Sequence, residues 1–197
     1  MMAVRSLARL ALPLALVATL AGCGVNTIPA KEESAKAKWA DVQSAYQRRS
    51  DLIPNLVATV KGYAKFEQST LVEVTNARAK ATSITVDPSK LSDPAQVQNF
   101  QAAQDQLSGS LGRLLVSVEK YPDLKANEQF LNLQNQIEGT ENRINVARRD
   151  YNESVRDYNT EIRTFPSVIG AKVIYGAKPL QPFTAAAGSD KAPTVTF

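Results

Sequence analysis

The stretch Trp39–Val60, "WADVQSAYQRRSDLIPNLVATV", spaces its apolar side chains three or four residues apart on both sides of a proline. Such spacing places side chains on one face of an α-helix. One column repeats every seven residues: Trp39, Tyr46, Ile53, Val60, Glu67, Val74 and Ala81. We therefore expect one long helix from about residue 34 to residue 82, with an apolar seam like those of coiled coils and helical bundles.

Pro54 lies inside this seam, where a proline removes a backbone hydrogen bond and costs about 3 kcal/mol. We expect the helix to bend near Pro54 without breaking, because water can reach the freed carbonyl at the end of a bundle. The alternative is that Asp51 caps a new helix and that residues 34–50 fold back.

Two further seams follow in the sequence. Residues 83–93 read as a loop, and Asp93 followed by Pro94 is typical of a helix start. The second helix is predicted from Pro94 to about Lys120 and the third from about Ala126 to Thr164. The segment "PSVIGAKVIYG" is predicted to form a short fourth helix with Pro166 in its first turn. No long stretch alternates with period two. The fold class is therefore all-α, an up-and-down four-helix bundle with a long, Pro-kinked first helix and a short C-terminal helix.

The N-terminus resembles a bacterial lipoprotein signal. Arg5 and Arg9 precede the apolar run "LALPLALVATL", which is too short to span a bilayer. The run ends in "LAGC", which resembles a lipobox, and Cys23 is the single cysteine of the chain. The resemblance implies removal of residues 1–22 and acylation of Cys23 with diacylglycerol and palmitate-type chains. The alternative is an ordinary secretory signal. Since Gly24 and not Asp follows the cysteine, an outer-membrane location is expected in a Gram-negative source.

The predicted mature chain has a tether at residues 23–33, a helical bundle at 34–178 and a disordered tail at 179–197. Removal of the signal lowers 23 basic residues to 21 against 19 acidic ones, a net charge of +2, so nucleic-acid binding is not expected. The chain has no histidine. This excludes Ser-His-Asp and Cys-His nucleophilic sites and zinc sites built on histidine. No cofactor and no metal ligand set is predicted.

Several ungapped segments resemble the LemA family: "YQRRSDLIPNLVATVKGYAKFE" (46–67), "NARAKA" (76–81), "YPDLKANEQFLNLQNQIEGTENRINVARRDYNESV" (121–155) and "FPS" (165–167). The resemblance covers roughly residues 39–175. It implies a four-helix up-and-down bundle on the outer face of a membrane, without an established catalytic activity. Many family members use an uncleaved transmembrane helix, from which the lipobox of this chain departs.

Polar side chains interrupt the seams at defined places. Arg49 and Glu67 occupy core-type positions of the first seam, so they must be solvated or paired, with Glu138 or Glu141 as candidate partners of Arg49. The tetrapeptide "RDYN" occurs at 149–152 and again at 156–159, two turns apart. Its repeated residues, Tyr151, Asn152, Tyr158 and Asn159, predict a ladder of interhelical hydrogen bonds that fixes the register; the alternative is a polar ligand groove.

The length of the helices predicts an exposed stripe. If the second helix descends only to the level of Leu56, then Trp39, Val42 and Tyr46 project beyond the bundle and form a candidate interaction surface. The alternative is that the connection "YPDLKANEQF" covers them.

Two functions remain open from the sequence. The first is a non-catalytic, lipid-anchored scaffold or interaction module that binds a protein of the cell envelope. The second is an envelope hydrolase that uses two carboxylates converging in one cleft.

Overall fold

A computed structural model describes residues 26–62 and 67–184, and within these ranges the chain is helical without a β-strand. The helices are α1 (Thr27–Lys61), α2 (Gln68–Ser83), α3 (Pro94–Val118), α4 (Pro122–Lys125), α5 (Glu128–Glu161) and α6 (Ser167–Gly170), with a 3₁₀ turn at Pro88–Lys90 and a π turn at Ala171–Tyr175. None of the described helices is both long and apolar enough to cross a membrane.

Four of these helices form the predicted all-α, up-and-down bundle. Helix α1 runs antiparallel to α5, since Thr27 contacts Glu161 near one end and Arg49 contacts Glu141 further along. Helix α2 runs antiparallel to α3, because Lys80 donates to Gln106 while Arg113 pairs with Glu73.

The prediction of one long helix over residues 34–82 is wrong, because this stretch forms two helices, α1 and α2. Helix α1 ends at Lys61, and the N–H of Gly62 turns back to the carbonyls of Ala58 and Thr59. A glycine favours such an end because it stabilises a helix interior less than other residues do. The apolar seam stays in phase on both sides, since Val60 and Val74 are both fully buried. The heptad pattern therefore does not mark the reversal.

Helix α1 runs without a break through Pro54, as predicted, but not because water solvates the freed carbonyl. The carbonyl left without its helical partner is that of Ser50, which is 2% exposed. The side chain of Arg78 on α2 donates to this carbonyl at 2.8 Å. The neighbouring helix thus supplies the hydrogen bond that the proline removes.

The four bundle helices differ in length, with 35, 16, 25 and 34 residues in α1, α2, α3 and α5. At 1.5 Å per residue, α1 and α5 are each roughly 28 Å longer than α2. The part of this pair that α2 does not cover is closed by two segments without α-helix, the loop at 84–93 and the segment at 177–184. The latter begins after Gly176, whose φ of 55° lies in the left-handed region that favours glycine.

The core accordingly has two parts. The aliphatic half lies between all four helices and consists of Ile53, Leu56, Val60, Leu71, Val74, Ala77, Ala81, Leu107, Leu111, Leu114, Val118, Leu124, Phe130, Leu133 and Ile137. The aromatic half lies at the end where α1 begins and consists of Ile28, Ala35, Trp39, Val42, Tyr46, Val86, Leu91, Val97, Phe100, Ile144, Tyr151, Val155, Tyr158, Ile162, Ala171, Leu180 and Phe183.

The prediction of a disordered tail from residue 179 is wrong for its first six residues. Leu180 and Phe183 are 7% and 5% exposed, and both belong to the aromatic half. Leu180 and Phe183 are three residues apart in a stretch that contains proline. Such a stretch can bury its apolar side chains without regular structure, and amino-acid composition alone does not show that it is ordered. The rest of the predicted tail, residues 185–197, lies outside the described residues, as do the predicted signal peptide at 1–22 and Cys23.

Candidate functional site

A polar layer around Arg49 separates the two halves of the core. Arg49 is fully buried, and its Nη1 donates to Ser108 Oγ and to Glu141 Oε1, both at 2.6 Å. Its Nη2 donates to the side-chain and backbone oxygens of Gln104, at 2.9 and 3.2 Å. Glu141 is thus the partner among the two predicted, while Glu138 instead accepts from Gln134.

All four bundle helices contribute groups to this layer. Arg49 follows Tyr46 and precedes Ile53 on α1, and Gln104 lies between Phe100 and Leu107 on α3. Gln104 also donates to the carbonyl of Ala81, one of the last carbonyls of α2, which have no partner within the helix. A guanidinium whose donors bond to a carboxylate, a hydroxyl and an amide is a positioning element that sets the register of three helices.

The second interrupted position has no such role. Glu67 precedes α2 as its N-terminal flanking residue, makes no side-chain cap and is exposed. It is solvated because the helix begins there, and it does not lie in a seam between helices.

Tyr151 and the repeated asparagines of α5 hold the C-terminal segment in place. Asn152 accepts from the N–H of Phe183 at 2.8 Å and donates to its carbonyl at 2.9 Å. Asn159 forms the same pair with Leu180, both at 2.9 Å. The hydroxyl of Tyr151 donates to the carbonyl of Gln181 at 2.9 Å. The predicted interhelical ladder is therefore wrong in its partner: the amides bond to an extended segment of backbone and not to another helix.

Gln101 of α3 completes this cradle from the other side. Its amide donates to the carbonyl of Thr184 at 2.5 Å and accepts from the N–H of Thr184 at 3.3 Å. Three side-chain amides thus satisfy both backbone groups of residues 180, 183 and 184. The alternative of a polar groove for a ligand corresponds to a groove that the chain fills with its own C-terminal segment.

Burial also determines the acidity of the cradle's tyrosines. Burial raises the pKa of Tyr151 far above its usual value, and it raises the pKa of Tyr158. Both phenols therefore stay protonated and can act as hydrogen-bond donors throughout the physiological range.

The predicted interaction surface of Trp39, Val42 and Tyr46 is wrong. These side chains are 0%, 0% and 4% exposed, and they lie inside the aromatic half. Trp39 packs against the rings of Phe100, Tyr151 and Phe183, with centroids 5.2–5.5 Å apart, and its indole N–H donates to the carbonyl of Val86. The covering residues come from the 84–93 loop and the C-terminal segment, not from the predicted "YPDLKANEQF" connection, because α1 extends past α2 on that side.

A cluster at the end of α5 joins three parts of the chain. The carboxylate of Glu161 accepts from the hydroxyls of Thr27 and Ser167, at 2.6 and 2.5 Å, and pairs with Lys31 at 2.9 Å. The hydrogen bonds from Ser167, Thr27 and Lys31, in that order, lower the pKa of Glu161 to about 2. This carboxylate fastens the start of α1 and the start of α6 to the end of α5, and it stays ionised.

Two aspartates share an open depression between α1 and α5. The depression, about 500 Å³ in volume, is lined by Asp41, Ser44, Ala45, Arg48, Asn142, Arg143, Val146, Ala147 and Asp150. Asp41 lies 3.6 Å from Lys38, and Asp150 lies 3.5 Å from Arg149. Both carboxylates are open to water beside a cation, whereas a general acid requires desolvated surroundings. The surface of the depression combines both signs of charge with Val146, which is 47% exposed.

Carboxylates elsewhere are also accessible to water. None of the aspartates and glutamates within residues 26–62 and 67–184 is fully buried. The same ranges contain no group of three or more His, Cys, Asp and Glu side chains arranged to bind a metal ion.

An exposed apolar surface at the end of the bundle was missed by sequence reasoning. Phe165, Ile169, Val173, Ile174 and Tyr175 are 81%, 57%, 78%, 62% and 42% exposed. We call these five residues the apolar patch. The available signal was "FPSVIGAKVIYG", in which apolar residues are too dense for a single buried face of so short a helix.

The comparisons with known proteins agree with the bundle and its segments. The model of the LemA family matches residues 38–197, which is most of the chain. The chain belongs to the LemA family. A curated relative, Protein LemA of Metamycoplasma hominis, is 31% identical over 100 residues, which are 51% of this chain and 42% of that protein. The match thus spans less than half of the relative, and the family name by itself assigns no activity.

Proposed function

We propose that this LemA-family protein is a lipid-anchored helical module of the bacterial cell envelope that works by binding a protein partner and not by catalysis. The anchor is the lipid on Cys23, within "LAGC". The envelope location follows from the export signal that precedes it, and in a Gram-negative source it is the periplasmic face of the outer membrane.

The observation that carries the binding role is the depression between α1 and α5. It combines Arg48 and Arg143 with Asp41 and Asp150 around the exposed Val146. Protein interfaces of moderate size have this composition, with an apolar centre and a charged rim. The side-chain amides of Gln104 and Asn152 and both Nη atoms of Arg49 instead form internal hydrogen bonds, which support the fold. Nε of Arg49 is buried without a hydrogen-bond partner, inside the core and away from the depression.

The binding role can be tested by photo-crosslinking in living cells. A photoreactive amino acid at Val146 is expected to capture one discrete envelope protein, and Arg143→Glu is expected to reduce that capture because it reverses a charge at the rim. The matched control carries the photoreactive amino acid at Val116, a 69% exposed valine on α3. Two results would show that the depression is not the binding site: equal capture from Val146 and Val116, or capture from Val146 that Arg143→Glu does not reduce.

The anchor has a separate test. Metabolic labelling with an alkyne fatty acid should label the wild-type chain, and Cys23→Ser should abolish both the label and processing before residue 23. A Cys23→Ser chain that stays acylated and keeps the same mature N-terminus would show that the lipobox interpretation is wrong.

A further inference from the structure

The apolar patch is concentrated in one short part of the molecule. Nine large apolar side chains are exposed within the described residues, and five of them fall between Phe165 and Tyr175. The other four are scattered over three helices: Val72 on α2, Val116 on α3, and Leu131 and Val146, 15 residues apart, on α5. Single exposed apolar residues are normal, whereas a contiguous group marks a surface that contacts another phase or another molecule.

The patch lies at the end of the bundle where α1 begins. Its segment follows directly from the last residue of α5, and Ser167 shares the Glu161 carboxylate with Thr27 and Lys31. Ala171, between the exposed residues, is 1% exposed and packs in the same cluster as Ile28. The patch is therefore fastened rigidly beside the first turn of α1.

The length of chain before α1 limits how far the lipid attachment point can be from this end. Cys23 precedes Thr27 by four residues, and four residues cannot extend more than about 14 Å. A diacylglycerol on Cys23 would bring the membrane surface to within this distance of α1, and so to the end that carries the patch.

The charge of the segment fits an anionic surface. Residues 162–178 contain Arg163, Lys172 and Lys178 and no aspartate or glutamate. All three basic residues are exposed, and Lys172 lies between the exposed Ile169 and Val173. Aromatic and aliphatic residues interleaved with Lys and Arg are the composition of segments that lie in the headgroup region of a bilayer.

We infer that the apolar patch, with Arg163, Lys172 and Lys178, rests on the surface of a bilayer that contains anionic lipids. This inference extends the lipid anchor of the proposed function. The acyl chains hold the protein at the membrane, and the patch fixes the orientation of the bundle, with the aromatic half next to the membrane and the aliphatic half away from it.

Vesicle flotation with the chain of residues 23–197 carrying Cys23→Ser tests the patch without the lipid. The vesicles contain phosphatidylcholine alone or with 30% phosphatidylglycerol. We expect the protein to float with the anionic vesicles and less with the neutral ones. The double variant Val173→Asp/Ile174→Asp should bind at least about tenfold more weakly, because it replaces exposed apolar area with negative charge.

The matched control is Val72→Asp/Val116→Asp, which adds the same charge at two exposed valines of α2 and α3. It should float like the parent chain, and circular dichroism should show equal unfolding temperatures for all three proteins. Failure of the parent chain to bind anionic vesicles, or equal loss of binding in both double variants, would overturn the inference. So would a dimer of the parent chain that dissociates only in the patch variant, because the occupant would then be a second copy.

The outcome is distinguishable from failure of the anchor. Vesicle binding by the Cys23→Ser chain, together with absence of acyl labelling of the wild type in cells, would support the patch and reject the lipid. Acyl labelling of the wild type in cells, without vesicle binding by the Cys23→Ser chain, would support the lipid and reject the patch.

Discussion

The aliphatic and aromatic halves of the core are both closed to water, but different structural elements enclose them and different side chains fill them. The aliphatic half is enclosed by four helices, and Phe130 is its single fully buried aromatic residue within the described ranges. The aromatic half is enclosed by only three long helices, α1, α3 and α5. The 84–93 loop and the 177–184 segment cover its remaining side. The backbone groups of irregular segments have no partner in a helix or sheet, so the aromatic half also needs side chains that bind them. The asparagine and glutamine amides donate to carbonyls and accept from N–H groups, and the tryptophan donates to a carbonyl.

The difference teaches where large planar side chains are useful. A segment without regular structure presents no ridges to interlock with a helix, and aromatic rings can fill such irregular space with large buried areas. Phe183 of the C-terminal segment stacks on Trp39 and packs edge to face with Tyr151, while the rings of Trp39 and Tyr151 are tilted by 59°. The two halves should therefore respond differently to truncation, to loss of hydrogen bonds and to acid.

The largest effect is expected from Trp39→Ala. Removing a fully buried tryptophan should cost about 3–5 kcal/mol of the free energy of unfolding, because it leaves a cavity next to three rings. Leu111→Ala in the aliphatic half should cost about 2–5 kcal/mol and is the reference from that half. Urea unfolding followed by circular dichroism measures both. A cost below 1 kcal/mol for Trp39→Ala would contradict the packing of the aromatic half.

The next effect concerns the layer between the halves. Glu141→Ala leaves the Arg49 guanidinium buried without its carboxylate, and we expect a loss of about 1–3 kcal/mol, since Glu141 itself is partly accessible to water. The double variant Arg49→Met/Glu141→Ala should be more stable than Glu141→Ala alone, because the uncompensated charge is gone. Simple additivity of the two single variants in chemical denaturation would show that the pair is not coupled.

A comparable or smaller loss is expected from Asn159→Ala, about 1–2 kcal/mol, because the backbone N–H and carbonyl of Leu180 lose their partner. Hydrogen exchange should accelerate at Leu180 and at nearby residues of the segment, while amides around Leu111 keep their protection. The control is Asn145→Ala, an exposed asparagine two heptads earlier on α5. Uniform acceleration over both halves would mean that the segment does not open locally.

The smallest effect is expected from the Glu161 cluster, and it depends on pH. The folded-state pKa of about 2 lies below the ordinary value of 4.5, so the stabilisation is present above pH 4.5 and disappears as the pH falls towards 2. We expect a contribution of about 1 kcal/mol, because the carboxylate is partly exposed and screened by water. Glu161→Gln should lack this part of the acid dependence in thermal unfolding. If the unfolding temperatures of wild type and variant fall equally steeply between pH 4.5 and 2, the Glu161 cluster does not contribute to stability.

The aliphatic half was largely predictable from the sequence. Heptad spacing identifies Leu107, Leu111 and Leu114 as core residues of one helix, and Asp93 before Pro94 marks where that helix begins, as the bond from Ala95 N–H to Asp93 confirms. The largest error there is the reversal at Gly62. The seam keeps its phase on both sides of the turn, so periodicity cannot distinguish one helix from two.

The aromatic half could not be predicted in the same way. Its closure depends on contacts such as Asn152 with Phe183, 31 residues apart, and Trp39 with Val86, 47 residues apart. A side-chain amide that binds backbone leaves no pattern in the partner's sequence, because any residue has an N–H and a carbonyl. The segment's own composition suggested disorder, and only the unequal lengths of α1 and α2 create the space that it fills.

The proposed membrane attachment also combines a feature that the sequence reveals with one that needs the structure. Cys23 follows from a local motif, whereas the apolar patch becomes visible only when burial separates the exposed Val173 and Ile174 from the buried Ala171. The two proposals agree in putting the aromatic half next to the membrane.

The central claim is that the chain's own C-terminal segment closes the aromatic half, and Trp39 is the single tryptophan with which to test it. Acrylamide quenching of the purified monomer without a lipid or a partner should be weak. It should increase several-fold in the double variant Leu180→Ala/Phe183→Ala, which removes the covering side chains. Strong quenching of Trp39 in the folded wild-type monomer would contradict the claim and would restore Trp39, Val42 and Tyr46 as an exposed surface.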